Sequence, residues 1–274
     1  MRQYSNLHPL WMSYYAGELY EDVGRNWHGR GFRYLFLLLT ITWIPVVIMI
    51  SNQFDDWVDK NLPGIIEQAP EIIIENGKLS TVPRKPFIID EPSTGKPLII
   101  IDATGEYTSL EGVEAQFLLM EDRLLFRLET GEIQEAPVFQ DVDETVVFNE
   151  DILYQLFDFL KGVLPFVLFP FAVIVSFMYR IVQVCVYAFI GTFLAQHVKT
   201  EISYETLLRL SAVSITPAVA VDTLNTLMDD ALPIPYFYWL LICFLLSIGY
   251  LFFAIKIYAI AERENLTLSN EQES

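Results

Sequence analysis

LPFVLFPFAVIVSFMYRIVQVCVYAFIGTFLAQ, residues Leu164–Gln196, is the stretch on which the reading of this chain turns. It carries a single charge, Arg180. As a helix rising about 1.5 Å per residue it would be about 50 Å long, against a bilayer hydrocarbon core of about 30 Å. It is therefore either one long tilted span or two short spans with a break. A break would have to fall near Tyr179-Arg180, where no Gly, Asn or Pro turns the chain. Two spans of about 16 residues would each reach only about 24 Å, too short to cross comfortably. One unbroken helix is expected, entering from an outer domain and leaving at His197 and Lys199.

The rest of the composition agrees with a membrane chain. Of 274 residues, 53% are hydrophobic, and the mean hydropathy is +0.36, too apolar for an ordinary soluble domain. The formal charge of −18 is localised, because 23 of the 35 acids but only 8 of the 17 bases fall between Ser51 and Lys161. An acidic module is thus set into an apolar protein, and its surface is unsuited to nucleic acid or anionic lipid. The two cysteines, Cys185 and Cys243, lie in apolar runs, which excludes a disulfide framework and a cysteine metal site. The first 30 residues lack the apolar core of a signal peptide, so the first span reads as an uncleaved anchor.

Working outward, residues 1–33 read as a cytoplasmic amphipathic and basic segment. Apolar positions recur from Leu10 to Val23 as in a short helix lying at a membrane surface. GRNWHGRGFR follows, with Arg25, Arg30 and Arg33 and no acid, and its glycines are expected to break any helix. Residues 34–50 are the first span, kinked at Pro45. The three arginines precede it, and Asp55, Asp56 and Asp59 follow it. Lys and Arg near span ends stay cytoplasmic, which puts the N-terminus inside and the next domain outside.

Residues 51–160 read as an acidic, β-rich extracytoplasmic domain. Ile72–Ile74 and Lys78–Val82 flank Asn76-Gly77, the pair favoured by a tight hairpin turn. Phe87–Asp90 and Leu98–Asp102 flank a Pro/Gly-rich turn, and Ala115–Met120 and Arg123–Leu128 suggest a second hairpin. Asn149–Lys161 is helical, capped by Asn149, with a stripe of Ile152, Leu153, Leu156, Phe157 and Leu160. Residues 161–260 form a three-helix transmembrane core: the long helix, a polar Ser/Thr/Ala-rich helix (Ser203–Leu227, Pro217 within it) suited to helix packing, and Tyr236–Ile260 with an aromatic belt at its start. Residues 261–274 are a polar, disordered cytoplasmic tail. The fold class expected is a multi-pass α-helical membrane protein with four spans, a long second helix and a small β-rich outer domain.

Arg180 and Asp222 are the sharpest constellation. If the long helix and the next form an antiparallel hairpin closing around Val198 and Tyr204, the two face each other about 27 Å from the turn. Gln183 and Asn225 are near enough in depth to extend the cluster. A charge inside a span is costly unless paired. Locking of two helices is the leading reading; an ion or substrate path is the alternative. Arg25, Arg30 and Arg33 read first as a topology signal and second as a binder of anionic headgroups. His8, His28 and His197 are scattered without ligand spacing, and Gln140–Glu144 lacks the pattern of a calcium loop. Asp90, Glu91 and Asp102 flank a turn that offers a weak cation site. No catalytic, cofactor-binding or metal set is recognised.

The run Tyr20–Pro45, YEDVGRNWHGRGFRYLFLLLTITWIP, resembles the opening of the bacterial family known as domain of unknown function 1189. The stretches Phe87–Leu110, LPFVLFPFAVIVSFMYR and Tyr204–Leu224 resemble it as well. Thr216-Pro217 after its helical approach also resembles the membrane core of Yip-type trafficking proteins, though the acidic insertion has no counterpart there. The first resemblance implies a protein of the bacterial cytoplasmic (inner) membrane with an extracytoplasmic insertion, and supplies no activity or site residues; four spans and the placement of Lys and Arg put both termini in the cytoplasm. The expected function is a non-enzymatic membrane scaffold or accessory protein whose outer domain recognises a partner. Alternatives are a small oligomeric transporter or channel component using the Arg–Asp pair, and a transmembrane sensor. The partners implied are the bilayer and either a membrane protein or a second copy; no cofactor and no nucleic acid are implied.

Overall fold

In the computed structural model the apolar run lies inside one helix, α4 (Glu150–His197), unbroken across Tyr179-Arg180 despite Pro165 and Pro170. The structure describes residues 3–29, 31–128, 130–139, 145–228 and 234–273, the last nine of these as backbone only. Asn149 starts α4, its Oδ1 accepting the Ile152 N–H at 3.0 Å, with Glu150 and Asp151 in the first turn favoured by the helix dipole. A Schellman turn ends it: Lys199 takes a left-handed conformation (φ 57°), Thr200 N–H donates to Ala195 C=O, and Lys199 N–H donates to Gln196 C=O.

The chain divides into two compact units. Met1–Ile50 with Pro165–Ser274 form a helical unit, and Ser51–Leu164 form a sheet unit. Among the described residues four helices are long and apolar enough to cross a membrane: Phe32–Ile66, Glu150–His197, Tyr204–Leu227 and Tyr236–Glu264. The combination of such helices with β-sheets agrees with the fold class read from the sequence.

Several boundaries differ from expectation. The expected surface helix Leu10–Val23 is instead α1 (Pro9–Met12) and α2 (Gly17–Asn26). The break between them is held by Tyr20, whose hydroxyl donates to Ser13 C=O at 2.6 Å. Leu19, Tyr20 and Val23 are fully buried, so α2 packs into the helical core rather than lying on a surface. Gly24 does not break α2; it lets the helix approach the Tyr258 ring, which an added Cβ would meet at 2.4 Å. The first apolar helix, α3 (Phe32–Ile66), continues past Ile50. Phe54, Trp57, Val58, Leu62 and Ile66 recur at helical spacing and pack with Leu153, Tyr154 and Phe157 in the sheet unit. There Lys161 of α4 donates to Asp59 of α3. The stripe expected on Asn149–Lys161 is corrected accordingly, since Ile152, Leu156 and Leu160 are exposed. The Ser203–Leu227 helix is two pieces, α5 (Tyr204–Ser214) and α6 (Thr216–Leu227). Ser203 caps α5 by accepting the Thr206 N–H, and Pro217, which has no N–H, opens α6. The last helix, α7 (Tyr236–Glu273), runs on through the segment read as a disordered tail.

In the helical unit α4 changes partners along its length. Near its middle it meets α3, with Trp43 Nε1–H donating to Ser176 Oγ at 2.9 Å and Phe36 edge-on to Phe177. Further on it meets α5 and α7: Gly191 faces Leu207, Leu251 and Ile255, and Arg263 donates to Val198 C=O. Buried positions on α4 follow that division, with Ala172 and Val173 in one group and Val184, Tyr187, Ala188, Gly191 and Ala195 in the other.

Among its described residues the sheet unit holds two sheets. β1 (Glu71–Glu75) and β2 (Lys78–Val82) form the expected hairpin, with φ 51° at Asn76 and 73° at Gly77 as a type I′ turn requires. β8 (Val146–Phe148), not foreseen, adds to β1. The second sheet runs β3 (Phe87–Asp90), β4 (Pro97–Asp102), β5 (Phe117–Met120), β6 (Arg123–Arg127), β7 (Ile133–Pro137). Both expected antiparallel pairs are present, but β4 and β5 pair in parallel, and β7 is an added edge. Asp102 organises the crossover between β4 and β5. Its buried carboxylate accepts the Thr104 N–H and hydroxyl and the Tyr107 N–H at 2.6–2.7 Å. Burial alone would raise its pKa; the bonds from Thr104 and Tyr107 outweigh that and hold the carboxyl below the usual aspartate value. The Asp102 contribution is complete above the unfolded value of about 3.9 and is lost as pH falls through the lower folded value. Asp102→Ala should cost about 1–3 kcal/mol by stranding these donors. Asp102→Asn should flatten the acid limb of sheet unfolding, followed by circular dichroism of the full chain.

Candidate functional site

The change of partners on α4 leaves a gap in its buried face, and Arg180 stands in that gap. The guanidinium donates to Gln183 Oε1 at 2.6 Å and reaches Asp222 Oδ2 of α6 at 3.5 Å. Gln183 is fixed in turn by donating through Nε2 to the Tyr187 hydroxyl at 2.8 Å. Asp222 is held from its other side: Trp239 of α7 donates its indole N–H to Oδ1 at 2.8 Å. The expected pair is therefore formed, with Gln183 in the cluster. Sequence reasoning missed Trp239, whose place at the start of an antiparallel α7 was the available signal. The Tyr204 hydroxyl adds a further bond between α5 and α4, donating to Cys185 C=O at 3.1 Å.

Beside the pair lies a cavity of about 190 Å³, lined by residues of α3, α4 and α6 that include Trp43, Ser176, Arg180, Asp222, Thr223 and Thr226. Thr226 lines it rather than Asn225, the other expected member, one residue back on α6. Arg180 is the more enclosed charge, at 15% exposure against 44% for Asp222. The bond network gives each charge a neutral anchor: the Gln183–Tyr187 chain for Arg180, and Trp239 for Asp222. The two form a preorganised dipole at a cavity wall, a geometry suited to binding or locking. Among the described residues no group of three or more His, Cys, Asp or Glu is placed to hold a metal ion. Asp102, expected as a cation-site candidate, is committed to its loop instead.

The basic segment is a docked structure. Arg25 pairs with Glu21 at 2.7 Å and with Glu262 of α7 at 3.5 Å. Arg33 is exposed and lines a separate cavity of about 360 Å³ with Trp27, His28, Gly31 and Tyr34. Arg30 lies outside the described residues, as do Gln140–Glu144. Two organisers escaped the sequence. Arg209 of α5 donates to Gly24 C=O at 2.9 Å, Gly29 C=O at 3.3 Å and the Thr206 hydroxyl at 2.8 Å. Asp22 accepts from the Gln3 and Tyr4 N–H groups, Asn26 and the Trp27 indole. Burial pushes its pKa up, but these four donors together hold it below the ordinary value. Gly31 (φ 77°) completes the docking, since an added Cβ would meet Ala212 at 2.9 Å.

A family model described as "Protein of unknown function (DUF1189)" matches residues 7–255, most of the chain. An uncharacterized protein of Rickettsia prowazekii (strain Madrid E) is 28% identical over 158 residues, which cover 54% of this chain and 54% of that protein. The chain thus spans about half the length of this curated relative. No solved structure matches. The likeness to Yip-type proteins finds no support in these matches.

If the pair locks α4 to α6, Arg180→Asp should lower the thermal midpoint of the detergent-solubilised chain by the equivalent of about 1–3 kcal/mol, and adding Asp222→Arg should recover part of that loss. Equal midpoints for the single and double variants would rule out direct pairing.

Proposed function

The chain belongs to this family of unknown function, and from that premise we propose that it is a non-enzymatic, multi-pass scaffold or accessory protein of a bacterial cytoplasmic membrane. The sheet unit stands on the outer side and recognises a partner, while both termini are cytoplasmic. The observation that carries this reading is the division of the chain. One unit is built of apolar helices of membrane-crossing length, and the other is a folded sheet module holding most of the acids. The orientation rests on charge: Arg25 and Arg33 precede the apolar part of α3, and Asp55, Asp56 and Asp59 follow it.

A second reading, a subunit of an oligomeric transporter or channel, draws on the cavity beside Arg180 and Asp222. Four candidate spans are few for a lone transporter, so this reading requires several copies. A sensor, with the sheet unit signalling along α4, is a third reading that no specific contact favours.

Two measurements separate these readings. In intact cells, Glu111→Cys should react with a membrane-impermeant maleimide, while Arg33→Cys should react only after permeabilisation; the reverse pattern would invert the topology. Crosslinking through the sheet unit, followed by purification in mild detergent, should yield a stoichiometric second protein. A homo-oligomer that carries ions into liposomes would instead favour the transport reading.

A further inference from the structure

The Arg180 cavity has a particular position along the helices. Asp222 lies only about 8 Å of helix from the end of α6 at Leu227, and Trp239 is within the first turn of α7. Tyr236, Phe237 and Tyr238, at the start of α7, are exposed by 76%, 71% and 58%. α4 does not stop at this level. From Arg180 back to Pro165 it continues for about 22 Å, presenting Phe166, Phe171, Ile174 and Met178 outward. The α6–α7 end therefore falls well short of the end of the apolar surface of α4. Resting on the membrane reading above, this sets a charged cavity within the bilayer beside a stretch of α4 whose apolar side chains are exposed.

We propose that this cavity binds the headgroup of an aminophospholipid, with the phosphate on Arg180 and the primary ammonium on Asp222. The opposite charges of the pair are each fixed by a neutral partner and only loosely by each other, at 3.5 Å. They form a net-neutral dipole whose complement is a net-neutral, dipolar headgroup. An anionic headgroup would set uncompensated negative charge against Asp222. A quaternary ammonium lacks the N–H groups that Asp222 accepts. The exposed apolar side chains of α4 beside the cavity, Phe171, Ile174 and Met178 among them, suit the acyl chains.

The test uses the full chain purified in detergent and exchanged into equimolar phosphatidylethanolamine, phosphatidylcholine and phosphatidylglycerol, with retained lipid counted by native mass spectrometry. Phosphatidylethanolamine should be retained about tenfold over phosphatidylcholine, as expected for one charge-assisted bond. Asp222→Asn should erase that preference, and Arg180→Gln should lower retention of all three lipids. Where Asp222→Asn fails to fold, Trp239→Phe, which frees the Asp222 carboxylate from its anchor, should reduce the preference instead. Equal retention by the unaltered chain, or a preference surviving both Asp222→Asn and Trp239→Phe, would overturn the proposal. Flotation with vesicles separates the two levels of inference. A chain that floats without headgroup preference sinks only the lipid site, and a chain that does not float sinks the membrane reading and the site with it.

Discussion

A guanidinium set in the middle of a long apolar helix must be compensated where it stands, because it cannot be left unpaired among hydrocarbon groups. Arg180 imposes that requirement on the helical unit, and three helices answer it. α4 supplies Gln183 and Tyr187, α6 supplies Asp222, and α7 supplies the indole that fixes Asp222. The same level marks the exchange of α3 for α5 and α7 as neighbours of α4. A polar cluster placed where packing changes hands gives directional bonds at the point where the interlocking of apolar side chains is interrupted. This accounts for a small cavity being tolerated there.

The sheet unit depends on ordinary burial. Ile100, Ile101, Leu118 and Leu125 are nearly inaccessible and lie on central strands, with Leu110 and Ala115 of the crossover packed against the Ile100 side. Among its described acids Asp102 is the buried one, because the parallel step from β4 to β5 needs an acceptor to close its loop. Asp102 thus shapes backbone in one unit, while Asp222 balances a cation in the other.

What the sequence revealed follows physical range. The continuity of α4 was legible because breakers were absent, and the β1–β2 hairpin because Asn76-Gly77 states its own turn. Arg180 and Asp222 were legible because each is a lone charge in an apolar run, which makes its partner a matter of counting. Trp239 was not, since an aromatic at a helix start has a sufficient local explanation as an interfacial anchor. The extension of α3 was hidden by Asp55, Asp56 and Asp59, which read as the outer flank of the span until Trp57, Val58 and Leu62 are recognised as the opposite face. The parallel pairing of β4 with β5 had no local signal, because its crossover carries no helical pattern. Asp22 and Arg209 were obscured for a similar reason: their partners are mostly backbone groups, which no side-chain motif announces.

The seat of α2 has a consequence for how the protein is made. Gly24 lies against Tyr258, and Arg25 pairs with Glu262, so a segment near the start of the chain rests on a helix near its end. At about 5–20 residues per second, a ribosome needs roughly 10–50 s to travel from one to the other. During that interval Leu19, Tyr20 and Val23 have no α7 to cover them, and the exposed segment is open to chaperones and proteases. Synthesis of α7 completes a seat that α5 has until then supplied alone, through Arg209 and Ala212.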